Sequence, residues 1–162
     1  MSGATAGYSG TPLVRKLGIK PAAQLGLIGA PDGFDATLGE LPPGVRVRRT
    51  VARGTFDVLV AFHTRRTDLE RRLPALAGAL DPAGGLWIAW PKRASGVSTD
   101  LTEDVVRTLG LAAGLVDNKV CAVDAVWSGL RLVYRLRDRP VRAGRVHSPS
   151  VTVSVAARLG VR

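Results

Sequence analysis

The sequence predicts a three-layer α/β domain whose mostly parallel sheet closes on an antiparallel strand pair. Three observations predict it. Residues 56–62 (FDVLVAF) and 86–90 (LWIAW) are almost wholly apolar, as central parallel strands buried on both faces are. Each run precedes a helix-start signal and a stripe of leucine or valine at helical spacing. Two further β-rich runs then end the pattern. Strand, helix, strand, helix, strand, strand implies right-handed crossovers onto one sheet.

The elements follow in order. Residues 1–12 (MSGATAGYSGTP) are small, polar and glycine-rich, and read as a flexible N-terminal segment. Residues 13–17 make one helical turn, closed by Gly18. Residues 24–28 (QLGLI) form a short strand running into Gly29-Ala30-Pro31-Asp32-Gly33-Phe34. Leu41-Pro42-Pro43-Gly44 is a turn, and residues 45–49 (VRVRR) alternate as a half-exposed strand does.

After the strand at 56–62, Thr67 and Glu70 have capping-box spacing, with Thr67 as N-cap. Leu69, Leu73, Leu76 and Leu80 continue the helix, which Pro74 should kink because it lacks an N–H and crowds the preceding turn. Gly84-Gly85 stops that segment before the strand at 86–90. Asp100 to Glu103 caps a second helix, with Leu101, Val105 and Leu109 facing inward and Gly110 or Gly114 ending it. Residues 119–127 and 130–135 read as strands joined tightly at Ser128-Gly129, a hairpin signal. The expected division is 13–138 for the α/β domain and 139–162 for a C-terminal extension.

Composition narrows the function classes. Of 162 residues, 46% are hydrophobic and 22% charged, an ordinary globular balance. Residues 139–162 carry five arginines and no acid, half of the net charge of +10. Such a tail attracts polyanions but is also a common solubilising extension. The 5% aromatic content and the lack of dense Lys/Arg clusters rank nucleic-acid binding low. Cys121 is the only cysteine, which excludes an internal disulfide and argues against a cysteine metal site. With no leader-like or membrane-spanning run, the expected protein is soluble and cytoplasmic, with no membrane partner.

The order from residue 56 to residue 136 resembles the second half of a class I methyltransferase-like Rossmann fold, including its antiparallel closing pair. A second resemblance covers residues 8 to about 136. The stretches YSGTPLVRKLGIK, LIGAP, AWPKRASGVSTDLTEDVVR and KVCAVDAVWSGL are similar to the domain-of-unknown-function 3052 family of GC-rich bacteria. That resemblance implies a small Rossmann-like fold and assigns no activity. The basic tail after residue 138 departs from the family's compact core.

In an open α/β sheet, ligands bind beyond the carboxyl ends of the strands. Here those ends supply Gly29, Asp32 and Gly33, then His63, Thr64, Arg65 and Arg66, then Lys92, Arg93, Ser95 and Thr99. A parallel sheet places all three on one rim, where four cations and helix N-terminal amides suit a phosphate or carboxylate. The glycine loop at 29–33 is poorer than a methyltransferase's, and the second strand ends in Arg48-Arg49 where an acid would hold ribose hydroxyls. No cofactor is assigned on these grounds, and S-adenosylmethionine or a nucleotide is the alternative. His63 is the candidate general base, read first as a loop histidine because no partner acid is evident. With His147 in the tail, no two-histidine metal site is visible.

The expected protein is therefore a non-catalytic or degenerate methyltransferase-like domain. Its rim would bind an anionic small molecule or a protein partner. An active S-adenosylmethionine-dependent methyltransferase with His63 as base is the first alternative, and nucleic-acid binding through the tail the second. Residues 150–155 (SVTVSV) alternate strictly, as a strand does, and suggest homo-oligomer formation through that segment.

Overall fold

The computed structural model describes residues 11–52 and 54–136. Six strands form one sheet: β1 (Gln24–Ile28), β2 (Arg46–Arg48), β3 (Phe56–Phe62), β4 (Leu80–Pro91), β5 (Leu115–Ala122) and β6 (Trp127–Tyr134). Their order is β2-β1-β3-β4-β6-β5. The first four are mutually parallel, and β6 runs antiparallel to both β4 and β5. The expected mostly parallel α/β sheet with an antiparallel closing pair is therefore the observed one. The chain reverses its direction of growth at β1 and β3, so the carboxyl ends of β1 and β3 lie side by side.

The helices are α1 (Leu13–Lys16), α2 (Phe34–Leu38), α3 (Arg66–Gly78) and α4 (Glu103–Ala112). Strand side chains alternate, so β3 serves two cores. Leu59 and Ala61 pack with Leu69, Leu73 and Leu76 of α3 and Val106 and Leu109 of α4. Val58, Val60 and Phe62 join Leu17, Phe34 and Leu38 on the face that carries α1 and α2. Trp87 is fully buried on that second face and its indole N–H donates to the Leu17 carbonyl at 3.0 Å, which satisfies its polar atom. No helix among the described residues is long and apolar enough to cross a membrane.

Four local expectations are corrected. The β5–β6 turn is not Ser128-Gly129. It spans 123–126, where the Asp124 carboxylate accepts the N–H groups of Val126 and Trp127, each at 2.8 Å. Ser128 and Gly129 lie inside β6, opposite Trp90 and Ala89. Glycine suits the packing there, since an added Cβ would sit 3.1 Å from Val123 and 3.2 Å from the Trp87 ring, closer than ordinary contact.

The caps also differ. Helix α3 starts at Arg66 without a side-chain cap from its own flank, so Thr67 is not its N-cap. Its first amide, Arg66 N–H, is instead accepted by Asp100 Oδ1 at 2.7 Å. Helix α4 is capped by Thr102, whose hydroxyl accepts the Val105 N–H, while Asp100 is spent elsewhere. Finally, Gly84-Gly85 belongs to β4 rather than to a helix stop, because α3 ends at Gly78 and the next strand begins at Leu80. The alternating stretch at 150–155, the basic tail and the first ten residues lie outside the described residues.

Candidate functional site

The rim formed by the strand ends divides into two hollows. The first lies beyond β4, where Lys92 and Arg93 leave the sheet and a 3-10 turn at Arg93–Ser95 leads towards α4. It has a volume of about 540 Å³ and is lined by Trp90, Lys92, Arg93, Ser98, Thr99 and Thr102, among others. Neither Lys92 nor Arg93 has an ion-pair partner among the described residues. Ser95 serves the loop itself: its hydroxyl donates to the Lys92 carbonyl at 2.6 Å and accepts from Val97 N–H at 3.2 Å.

The second hollow lies between the ends of β1 and β3. It measures about 310 Å³ and is lined by Gly29, Phe62, His63, Thr64 and Trp127, together with Asp68, Arg71 and Arg72 of α3. Gly29 adopts a left-handed φ of 69°, and a Cβ there would come within 3.2 Å of the Phe62 carbonyl. Phe62 meets Phe34 and Trp127 edge-to-face, at centroid distances of 4.9 and 5.1 Å. This stack forms an aromatic wall beside the cleft.

His63 is 8% exposed, and its Nδ1 is sealed from solvent with no hydrogen-bond partner among the described residues. Burial lowers its pKa from the ordinary histidine value, and the Arg72 guanidinium lowers it further. Asp68 and the Ala61 backbone oppose that shift. The imidazole is thus held neutral near pH 7. Cys121 lies in β5, where burial pushes its thiol pKa up, against a nucleophilic role.

The two hollows touch through one hydrogen bond. Thr99, in the first, donates its hydroxyl to the carbonyl of Thr64, in the second, at 2.7 Å. Together with the Asp100–Arg66 bond, this fastens the loop after β4 to the loop after β3.

The expected residues are thus partly brought together. Lys92, Arg93 and Thr99 share one hollow, and Gly29 and His63 share the other. Asp32, Gly33 and Arg65 are exposed and line neither, and Ser95 turns into its own loop. Gly33 instead starts α2 with a left-handed φ of 85°. At the end of β2, Arg49 is paired with Asp35 at 2.9 Å, and Arg48 lies over the Phe56 ring.

Sequence reasoning missed Asp68, Arg71 and Arg72. They sit on the exposed side of α3, within its first two turns, at i, i+3 and i+4. That spacing alone puts them on one helix face, but only the register of α3 on β3 aims the face at His63. Among the described residues, no His, Cys, Asp and Glu cluster could hold a metal ion.

No protein-family model and no curated protein matches the sequence. Solved structures do match its fold. One is a SAM-dependent methyltransferase from Aquifex aeolicus, 15% identical, with a TM-score of 0.55 over 74% of this chain and 86% of that one. Another is magnesium protoporphyrin IX methyltransferase from Synechocystis PCC 6803 with bound SAM. It is 11% identical, with a TM-score of 0.53 over 76% of this chain and 74% of that one. At these identities the likeness is one of fold, and the chain has the Rossmann-like architecture of the methyltransferases.

Proposed function

We propose that this methyltransferase-like domain binds an anionic small molecule at the carboxyl-end rim of its parallel strands, and does not transfer methyl groups. The observation that carries the reading is the hollow beyond β4. There Lys92 and Arg93 stand without ion-pair partners among the described residues, beside the hydroxyl-bearing Ser98, Thr99 and Thr102. Unpaired cations next to hydroxyl donors suit a phosphate or carboxylate through charge-assisted hydrogen bonds.

The residues present do not fit S-adenosylmethionine well. Where an acid would hold ribose hydroxyls after the second strand, this chain has Arg48 and Arg49, engaged with Phe56 and Asp35 respectively. Pro31 removes one amide from the loop after β1. A neutral His63 at a strand end, in a fold shared with methyltransferases, favours the second reading, an S-adenosylmethionine-dependent enzyme using His63 as base.

Calorimetric titration with S-adenosylmethionine, S-adenosylhomocysteine, nucleotides, NADP and coenzyme A separates the two. The first reading expects a phosphorylated compound to bind, and Lys92→Ala or Arg93→Ala to weaken it roughly tenfold or more, the effect of one hydrogen bond to a charged group. Tight binding of S-adenosylmethionine, with methyl transfer lost in His63→Ala, would establish the second. Unchanged phosphate-ligand affinity in Lys92→Ala would sink the first.

A further inference from the structure

The cleft between β1 and β3 differs chemically from the Lys92–Arg93 hollow, and the reading above leaves its groups unused. Its charges resolve to one spare cation. Asp68 accepts from Arg71 at 2.7 Å, while Arg72 has no salt bridge or hydrogen bond among the described residues. His63, neutral at pH 7, adds no charge but does add polar capacity. Its Nδ1 is sealed from solvent, so a ligand in the cleft meets the imidazole elsewhere on the ring.

The walls complete the description. Trp127 is half-buried at the cleft and braced edge-on by Phe62, so one aromatic surface is held in place. Gly29 keeps its own side of the cleft free of a side chain. The volume of about 310 Å³ is at the lower end of the range for ligand sites, roughly 300–1,000 Å³. One cation, one neutral imidazole, a rigid aromatic wall and little room describe a compact organic monoanion rather than a dinucleotide.

We propose that this cleft is a second binding site, for a small aromatic carboxylic acid. The carboxylate sits on the Arg72 guanidinium, the ring lies against Trp127, and the His63 imidazole is the polar contact between them. The site is separate from the Lys92–Arg93 hollow and stands or falls independently of it.

Benzoate is the probe, read by NMR of the full chain through the Trp127 indole and the His63 imidazole, the latter identified by its disappearance in His63→Gln. Benzamide has nearly the same shape without the charge, and inorganic phosphate has charge without the ring. The expected result is a saturable benzoate shift of both resonances, with benzamide and phosphate each weaker by roughly tenfold or more. Arg72→Gln, an exposed substitution on α3, should abolish the shift, whereas Lys92→Ala/Arg93→Ala should leave it. Equal binding of benzamide or phosphate, retention in Arg72→Gln, loss in the Lys92/Arg93 variant, or no shift of either resonance would each overturn the proposal. The benzamide and phosphate comparisons need only the unaltered protein, so they decide even if a variant misfolds.

Discussion

Asp100 caps a helix to which it does not belong: its Oδ1 accepts the N–H of Arg66, the first residue of α3, at 2.7 Å across 34 positions of sequence. Its neighbour Thr99 holds the preceding turn by donating to the Thr64 carbonyl. The loop after β4 therefore serves as the N-terminal cap of the helix after β3, and the two bonds join the loops that line the two hollows.

Removing this cap has a defined cost. Asp100→Ala should destabilise the domain by about 1 kcal/mol, the usual effect of deleting a helix-capping oxygen. Asp100→Asn retains an acceptor and should lose less. Urea unfolding of the three proteins checks the order, and an unchanged midpoint in Asp100→Ala would show that the bond contributes nothing.

The β5–β6 turn makes a similar claim. Asp124 accepts two backbone N–H groups at 2.8 Å, so Asp124→Ala leaves two turn amides without their protein acceptor. The expected loss is roughly 1–3 kcal/mol, at about 0.5–1.5 per bond. Because Trp127 supplies one of those amides and also walls the His63 cleft, its indole resonance should shift in the same variant.

Gly84 tests the irregular start of β4. A Cβ there would lie 2.7 Å from the Asp57 carbonyl and 3.0 Å from that of Phe56, both backbone atoms of the adjoining strand. Backbone in a central strand cannot yield as a side-chain tip can. Gly84→Ala should therefore destabilise by about 1–3 kcal/mol, the range for overpacked sites, despite the lower entropy that alanine gives the unfolded chain. Thermal and urea unfolding measure it directly.

Protonation of His63 couples pH to stability. Its folded-state pKa lies below the ordinary 6.5, chiefly through burial and then through Arg72. The unfolded chain consequently takes up the proton first as pH falls. The contribution of neutral His63 is whole above about pH 6.5 and is lost progressively as pH drops through the folded-state value. Urea midpoints measured from about pH 7.5 down to about 5 should fall more steeply for the unaltered protein than for His63→Gln. Parallel curves would show that His63 titrates as it does in the unfolded chain.

The succession of strands and helices was legible because it rests on local patterns. Residues 56–62 are apolar apart from Asp57 because β3 is covered on both faces, and Leu69, Leu73 and Leu76 share a stripe because α3 has one covered face. The three strand ends were also readable as one rim, given a parallel sheet. The caps were misassigned because Thr67, Asp100 and Thr102 all carry suitable oxygens, and spacing along the chain cannot tell which amide each one meets in space. Ser128-Gly129 misled for a related reason. Glycine there makes room for Trp87, a residue more than 40 positions earlier, while the turn is made by Asp124.

The sequence by itself determined the fold class, the covered faces of its elements and the basic character of the strand ends, all properties carried by residue type and short-range period. Only the tertiary structure decided how those strand-end residues are grouped. The pairing order of the sheet puts β1 beside β3, so Gly29 and His63 share one cleft while Lys92 and Arg93 line another. The seating of α3 on β3 then brings Arg72 to His63. These are long-range juxtapositions, set by which surfaces bury each other, and no local periodicity encodes them.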